Sequence, residues 1–333
     1  GGGRAAGADG VAAARPAVID ADSLLREARR PLVIGIGGGG DVVGALATAE
    51  ACRPAGARPV VGGVTWERRP IDPQPGPRAE FEIEGARRLA PGVMAAGGGT
   101  RVRDSGVVFA ESRMAALLGE DTVLVDATLG PSVLADGIEA AARRLGADLV
   151  VFLDVGGDAL AHGDEPGLAS PLCDALLLAA AARLEERAAF PVLGAVFGAG
   201  CDGELTPAEV LERIAEVAAA GGLAGARGLT PAVAARLEDA VEAVPTEASA
   251  QALRCFRGEI GPATIRRGRR SVELSPVGAL TFFFDPQAAL GSAARLAAAV
   301  RDARDLEHGN EILHALGVYT ELDYERDAGH TAP

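Results

Sequence analysis

Five times within the first 205 residues, an apolar run ends in a short cluster of glycine with an acid or a hydroxyl residue. The runs are Pro31 to Asp41, Val93 to Thr100, Thr122 to Ser132, Leu149 to Asp158 and Pro191 to Glu204. Strands buried on both faces of a parallel sheet read as near-continuous hydrophobic runs. Each run is therefore expected to be a buried parallel strand that stops in a tight turn. Ligands of open parallel sheets sit outside the carboxyl ends of the strands. The five clusters are expected to line one crevice, and that crevice to be the active site.

The rest of the pattern fits such a sheet. Strands are expected at 31–36, 58–65, 93–96, 107–110, 122–127, 149–154 and 191–197, and helices at 20–30, 41–55, 111–119, 132–145, 170–187 and 206–220. Strand and helix alternate, which predicts an α/β fold with a doubly wound, mostly parallel, Rossmann-like sheet. Residues 66–88 interrupt it, because Pro70, Pro73, Pro75 and Pro77 exclude a central strand or a helix interior. They read as a long loop beside the crevice. After residue 222 the pattern changes to a helix over 230–256, a hairpin over 260–275, a strand at 280–284 and a helix over 287–318. The expected organisation is a Gly/Ala-rich disordered leader at 1–19, a Rossmann-like domain at 20–222, and an α+β extension or cap at 223–333 on the same sheet. The apolar segment Leu172–Leu184 either buries against the sheet or offers a face for a homo-oligomer.

Composition narrows the chemistry. A net charge of −14 argues against a nucleic-acid binder, which needs a basic surface, and against an anionic membrane surface. No apolar run reaches the roughly 18 residues that span a bilayer. The chain begins with Gly, which leaves a removed leader open, and a cytoplasmic enzyme is the simplest expectation. There is no lysine. Schiff-base chemistry, and with it ordinary pyridoxal-phosphate (PLP) catalysis, is excluded, as is the lysine of a P-loop. The cation for an anionic group must be Arg, a helix N-terminus or a metal. The four cysteines are far apart and form no zinc or disulfide pattern. Cys201 reads as a small buried thiol before it reads as a nucleophile. The four histidines give no metal-binding helix pair.

Several motifs carry chemistry. Gly35 to Gly40 matches G-x-G-x-x-G between a strand and a helix, and Glu67 stands where an acid would bind a ribose; this is the dinucleotide pattern and makes NAD(P) an alternative cofactor. Asp41, however, stands at the helix N-terminus, where it would repel a pyrophosphate and suits a cation, a sugar hydroxyl or a helix cap. Asp154-Val-Gly156-Gly157-Asp158 puts two carboxylates around a glycine turn, followed by His162 and by Ser170 at a helix start. Such carboxylates can share Mg²⁺ or divide acid and base roles; capping and turn formation are the better account of one such turn alone, and Asp126, Asp158 and Asp202 at neighbouring strand ends shift the balance toward function. Asp202 and Glu204 repeat the theme, while Thr206-Pro207 is a helix start.

Asp154, Asp158, Asp202, Glu204 and His162 are the catalytic candidates, with Asp158 and Asp202 as metal ligands. Gly37, Gly38, Gly39, Gly40, Asp41, Gly98, Thr128, Gly156, Gly157 and Ser170 are candidates for lining the ligand, Glu67 for a ribose, and Arg68 and Arg78 for its anionic end. Arg266 to Arg270 reads as a solvated hairpin tip. No nucleophile elbow, HExxH or Cys/His spacing supports a serine hydrolase or a zinc protease.

Taken together, Gly37-Gly-Gly-Gly-Asp41-Val-Val-Gly-Ala45, Trp66-Glu67-Arg68, Asp72-Pro, Pro75-Gly-Pro-Arg78, Asp154-Val-Gly-Gly-Asp158, Ser170-Pro-Leu-Cys-Asp174, Asp202-Gly-Glu-Leu205 and Thr281-Phe-Phe-Phe-Asp285 resemble an uncharacterised domain-of-unknown-function family of archaea and some bacteria. The resemblance spans most of the chain. It implies a Rossmann-like fold and brings no reaction with it. The leading expectation is an enzyme acting on a small anionic or polyhydroxylated substrate, such as a nucleotide, nucleoside or sugar phosphate, by metal-assisted group transfer or hydrolysis. The alternatives are an NAD(P)-dependent oxidoreductase and a non-catalytic sensor.

Overall fold

The computed structural model describes residues 20–330; the expected leader at 1–19 lies outside the described residues. Its strands are β1 (Pro31–Gly35), β2 (Val60–Val64), β3 (Ile83–Ala90), β4 (Val93–Val102), β5 (Thr122–Val125), β6 (Leu149–Val155), β7 (Val192–Phe197), β8 (Leu223–Gly228), β9 (Gly261–Ile265), β10 (Arg270–Leu274) and β11 (Leu280–Phe284). Nine of them form one mixed sheet in the order β3-β4-β5-β2-β1-β6-β7-β11-β8, and β9 with β10 forms a separate antiparallel hairpin. The five central strands, β5-β2-β1-β6-β7, are parallel. The two on each flank are antiparallel. The fold is α/β with a largely parallel central sheet, as the run pattern predicts.

The helices are α1 (Ala21–Glu27), α2 (Asp41–Cys52), α3 (Ala110–Leu118), α4 (Pro131–Leu145), α5 (Pro171–Glu185), α6 (Pro207–Ala219), α7 (Pro231–Ala243), α8 (Ala248–Phe256), α9 (Pro286–Leu290), α10 (Arg295–Ala299), α11 (Leu306–Ala315) and α12 (Glu321–His330). Strand alternation splits the core. Leu32, Ile34, Val150 and Phe152 face one side with Leu134 and Ile138 of α4 and Leu172 and Leu176 of α5. Val33, Val151 and Leu153 face the other with Val42 and Leu46 of α2 and Leu237 of α7. Helix α5 is apolar around nearly its whole circumference, and its Leu172–Leu184 stretch is buried at all but one position inside this single chain. A helix hydrophobic all round belongs in an interior, so the dimer-face alternative for this segment falls.

Several expected elements differ. The strand at 93–96 is longer and antiparallel, because it follows β3 through the tight Pro91-Gly92 turn, and a hairpin reverses the chain. The end of the proline-bound loop is therefore strand β3. No strand forms at 107–110, where Val108 makes one isolated bridge to Arg101 and Phe109 is the N-cap of α3. The helix over 230–256 is two helices broken around Pro245, and that over 287–318 is three short ones. Among the described residues, no helix is long and apolar enough to cross a membrane.

Candidate active site at the sheet switch point

From β1 the chain winds outward through β2 to β5, then returns to place β6 on the other side of β1. The order of the parallel strands thus reverses between β1 and β6, and their carboxyl ends part to leave a crevice. A cleft of about 1340 Å³ opens there. Its wall includes Gly37, Asp41, Asp154, Asp158, Asp174, Asp202 and Glu204, with Arg68, Arg266 and Arg270.

Local sequence explains how the acids converge. The glycine turn after β1 delivers Asp41 at the first position of α2, behind an uncapped Gly40. Asp154 is the penultimate residue of β6, and the Ser170-Pro171 start of α5 places Asp174 in that helix's first turn. One carboxylate oxygen from each of Asp41, Asp154 and Asp174 lies within 4.8 Å of the others. Gly37 makes room for them: a Cβ there would come 2.7 Å from Asp41 Oδ2 and 3.0 Å from Asp174 Oδ2. The Gly37 N–H donates to Asp41 Oδ2 at 3.0 Å. Asp174 Oδ1 is buried and has no hydrogen-bond partner.

Asp158, Asp202 and Glu204 form a second triad of the same dimensions. Gly156 underlies it, for a Cβ there would sit 2.2 Å from the Asp202 carboxyl carbon. Glu204 accepts from the N–H groups of Ala169 and Ser170 at 2.8 and 2.7 Å and from the Ser170 hydroxyl. Arg270 stands 3.1 Å from it. Asp154 accepts from the Ala159 N–H at 3.1 Å, and its carboxyl and that of Asp158 belong to neighbouring triads of the same cleft.

Burial governs the electrostatics. It pushes the Asp41 carboxyl up to about 7, against hydrogen bonds that favour the anion. It likewise lifts Asp202 to about 7, helped by the nearby Glu204. Asp154, Asp158 and Asp174 are driven well above the usual range, first by desolvation and then by neighbouring carboxylates: Asp41 and Asp202 for Asp154, Asp174 and Asp154 for Asp158, Asp154 and Asp41 for Asp174. Carboxylates this close cannot all ionise without a compensating charge. Oxygen-only donor sets of this kind suit a hard divalent cation such as Mg²⁺.

The rim is basic. The Arg68 guanidinium lies 4.3 Å from the Trp66 ring centroid, and its Nη2 donates to Gly37 O at 2.5 Å. Glu321 of α12 lies 3.4 Å from it and accepts from the Leu172 and Cys173 N–H groups at 3.0 and 2.9 Å. Asp174, Glu321 and the hairpin arginines were absent from the candidates read from the sequence. The Ser-Pro start four residues before Asp174 was the available signal for that acid.

Only three of the five clusters meet at the cleft. Gly97 to Thr100 lies within antiparallel β4, and a Cβ on Gly98 would face Ala116. Thr128 donates its N–H to Asp126 at 3.0 Å, away from the cleft lining. Arg78 is buried in an ion pair with Asp72 at 2.8 Å. Glu67 accepts from Ala110 N at 2.5 Å rather than facing a ribose site in the cleft. His162 pairs with Glu216 at 2.8 Å outside the cleft lining. It also groups with Asp164 and Glu165, but Glu165 is held by Arg213 at 3.1 Å and by two N–H groups. Gly38, Gly39 and Ser170 line the cleft, whereas Gly40 packs on Thr246 and Gly157 on Val210.

Comparison with curated proteins finds no match, and neither does comparison with solved structures. The family model described as "Protein of unknown function (DUF1152)" matches residues 32–329, nearly the whole chain. The resemblance read from the motifs therefore holds, and the chain belongs to that family.

Proposed function

We propose that the cleft is the active site of a metal-assisted enzyme that hydrolyses, or transfers a group from, a small phosphorylated compound such as a nucleotide or sugar phosphate. The observation that carries this reading is the buried, unpartnered Asp174 Oδ1 within a triad of desolvated carboxylates. A buried acceptor without a partner costs about 1–3 kcal/mol, and more when charged. A divalent cation held by Asp41, Asp154 and Asp174 would offset that cost and the mutual repulsion of the three. When bound, it would supply Lewis-acid polarisation of a phosphoryl oxygen or an activated water.

The protein's own groups support the remaining roles. Asp158, held protonated by burial and the neighbouring carboxylates, can donate to a leaving group. Arg68 and Arg270 offer guanidinium charge at the cleft wall. The nicotinamide alternative has less support. Of the N–H groups in the glycine turn, that of Gly37 is taken by Asp41 and that of Gly39 by Trp66 O at 3.0 Å.

The test is thermal denaturation with Mg²⁺, Mn²⁺ or EDTA, alongside turnover of a panel of phosphate esters. A metal at ~100 times its dissociation constant should add roughly 2.7 kcal/mol. Asp174→Asn keeps the side-chain shape and should lose the metal-dependent shift and the turnover. Absence of any metal effect on the wild-type protein, in melting and in calorimetry, would overturn the proposal.

A further inference from the structure

We propose that the tip of the β9–β10 hairpin, Arg266 to Arg270, is a phosphate clamp over the acidic floor, and that the substrate carries at least two linked phosphoryl groups, as a nucleoside diphosphate or other pyrophosphate ester does. This deepens the metal-assisted reading of the same cleft and rests on it for the floor. The hairpin is firmly seated. Ile265, Val272 and Leu274 anchor it in the core below. Gly203, with φ of 73°, lets it press onto the acid loop: a Cβ there would meet Ser271 O at 2.7 Å. The Arg266 N–H donates to Glu247 at 2.7 Å, which fixes the tip to the start of α8.

The residues at the tip are unusual for a solvated turn. Arg266 and Arg267 both lie in the left-handed region, with φ of 51° and 57°. Gly or Asn would hold that backbone at lower cost, and strain of this kind concentrates at functional sites. Arg270 and Arg266 approach Glu204 of the acidic floor at 3.1 and 3.6 Å. Arg267 lines the same cleft and has neither an ion-pair partner nor a side-chain hydrogen bond among the described residues. Across the cleft, Arg68 Nη1 is buried without a hydrogen bond and lies 3.9 Å from Glu325 Oε1.

Acids below and arginines above set the ligand's chemistry. A bare anion would meet the floor carboxylates, so anion binding should require a cation on the floor. A phosphoryl group that reaches from the cation at Asp41, Asp154 and Asp174 toward the Glu204 end of the floor comes within reach of Arg270 and Arg266, which already approach Glu204. That leaves Arg267 and Arg269 on the rim and Arg68 opposite for a second phosphoryl group. Guanidinium forks match pairs of phosphate oxygens. The cleft is larger than one phosphate needs, and Ile71, Leu168, Val241 and Pro245 give it an apolar part for an organic moiety.

The experiment is calorimetric titration of the full chain with inorganic pyrophosphate and with inorganic phosphate, each in Mg²⁺ and in EDTA. A separate Mn²⁺ titration is followed by electron paramagnetic resonance. The variants are Arg266→Ala and Arg267→Gly; the latter removes charge while relieving the backbone, so lost binding cannot be ascribed to unfolding. Pyrophosphate should bind the Mg²⁺-loaded protein at least tenfold more tightly than phosphate, and each variant should lose tenfold or more, with Mn²⁺ affinity unchanged or tighter. Equal affinity for the two anions, or equal pyrophosphate affinity in wild type and Arg267→Gly, overturns the clamp and leaves the metal reading standing. Arginine-dependent pyrophosphate binding in a protein that takes up no Mn²⁺ overturns the metal reading and leaves the clamp.

Discussion

Glu67 offers a quantitative test of how the structure uses its buried acids. The residue is 4% exposed, and its carboxyl accepts a hydrogen bond from Ala110 N. Burial raises its pKa from 4.5 to about 7, against the pull of that N–H and of Arg113 and Arg68, with Asp72 adding to the rise. The buried Glu111 beside it is raised in turn, by burial and then by Glu67. A folded pKa above the unfolded value means that the native state holds the extra proton between pH 4.5 and 7. The stabilisation is therefore complete below about 4.5 and is lost as pH rises through 7. A rise of that size corresponds to about 3 kcal/mol.

Glu67→Gln removes the titration and keeps an acceptor for Ala110 N. Urea unfolding of both proteins from pH 4.5 to 8, in EDTA so that the cleft acids contribute alike, gives the difference directly. The variant should gain about 3 kcal/mol on wild type across that range, whatever constant offset the amide introduces. A difference that stays flat with pH would show Glu67 to be an ordinary ionised carboxylate open to solvent or ligand. The reasoning that removes it from the ligand site would then fail.

Gly37→Ala would put a Cβ 2.7 Å from Asp41 Oδ2 and should weaken Mn²⁺ binding at least tenfold, measured by calorimetry, in a protein that still folds. Arg78→Ala strands Asp72, itself 3% exposed, and should cost about 3–5 kcal/mol in urea unfolding rather than change ligand affinity selectively. Thr206→Ala removes the capping box of α6 and should lower stability by about 1 kcal/mol with metal binding intact.

The central strands were legible because their composition states their environment. Val-Val-Phe-Leu in β6 has no polar side and fits only where both faces are covered. The outermost strands, β3 and β8, were not. In β8, Leu-Ala-Gly-Ala-Arg-Gly carries little intrinsic strand preference and sits at the sheet edge, paired only with β11. Its conformation is set by a partner some fifty residues later in the chain. The nearness of the hairpin arginines to the cleft was hidden for a related reason. A run of arginine at a turn has the composition of a solvated tip, and its nearness to Glu204 arises only when the chain folds back over the cleft.

The acids show the same division between what composition and topology can decide. Strand-end glycine and acid clusters can be counted along the sequence, but which of them meet depends on strand order. Adjacent strands lie about 4.8 Å apart. β1, β6 and β7 are consecutive neighbours, so the loops after them lie within about two strand spacings, and Asp41, Asp154 and Asp202 converge. β5 is separated from β6 by β2 and β1, so Asp126 and Thr128 at its end are set back about 14 Å from Asp154. That gap exceeds the reach of carboxylates sharing one ion. The cluster in β4 is removed twice over, being farther out and on a strand running the opposite way. Reversal of the winding between β1 and β6 is therefore what selects among otherwise similar clusters. An acid such as Asp174 belongs to the site because its helix begins at that reversal, and its Ser-Pro start marks the helix without saying that the acid in its first turn faces the cleft.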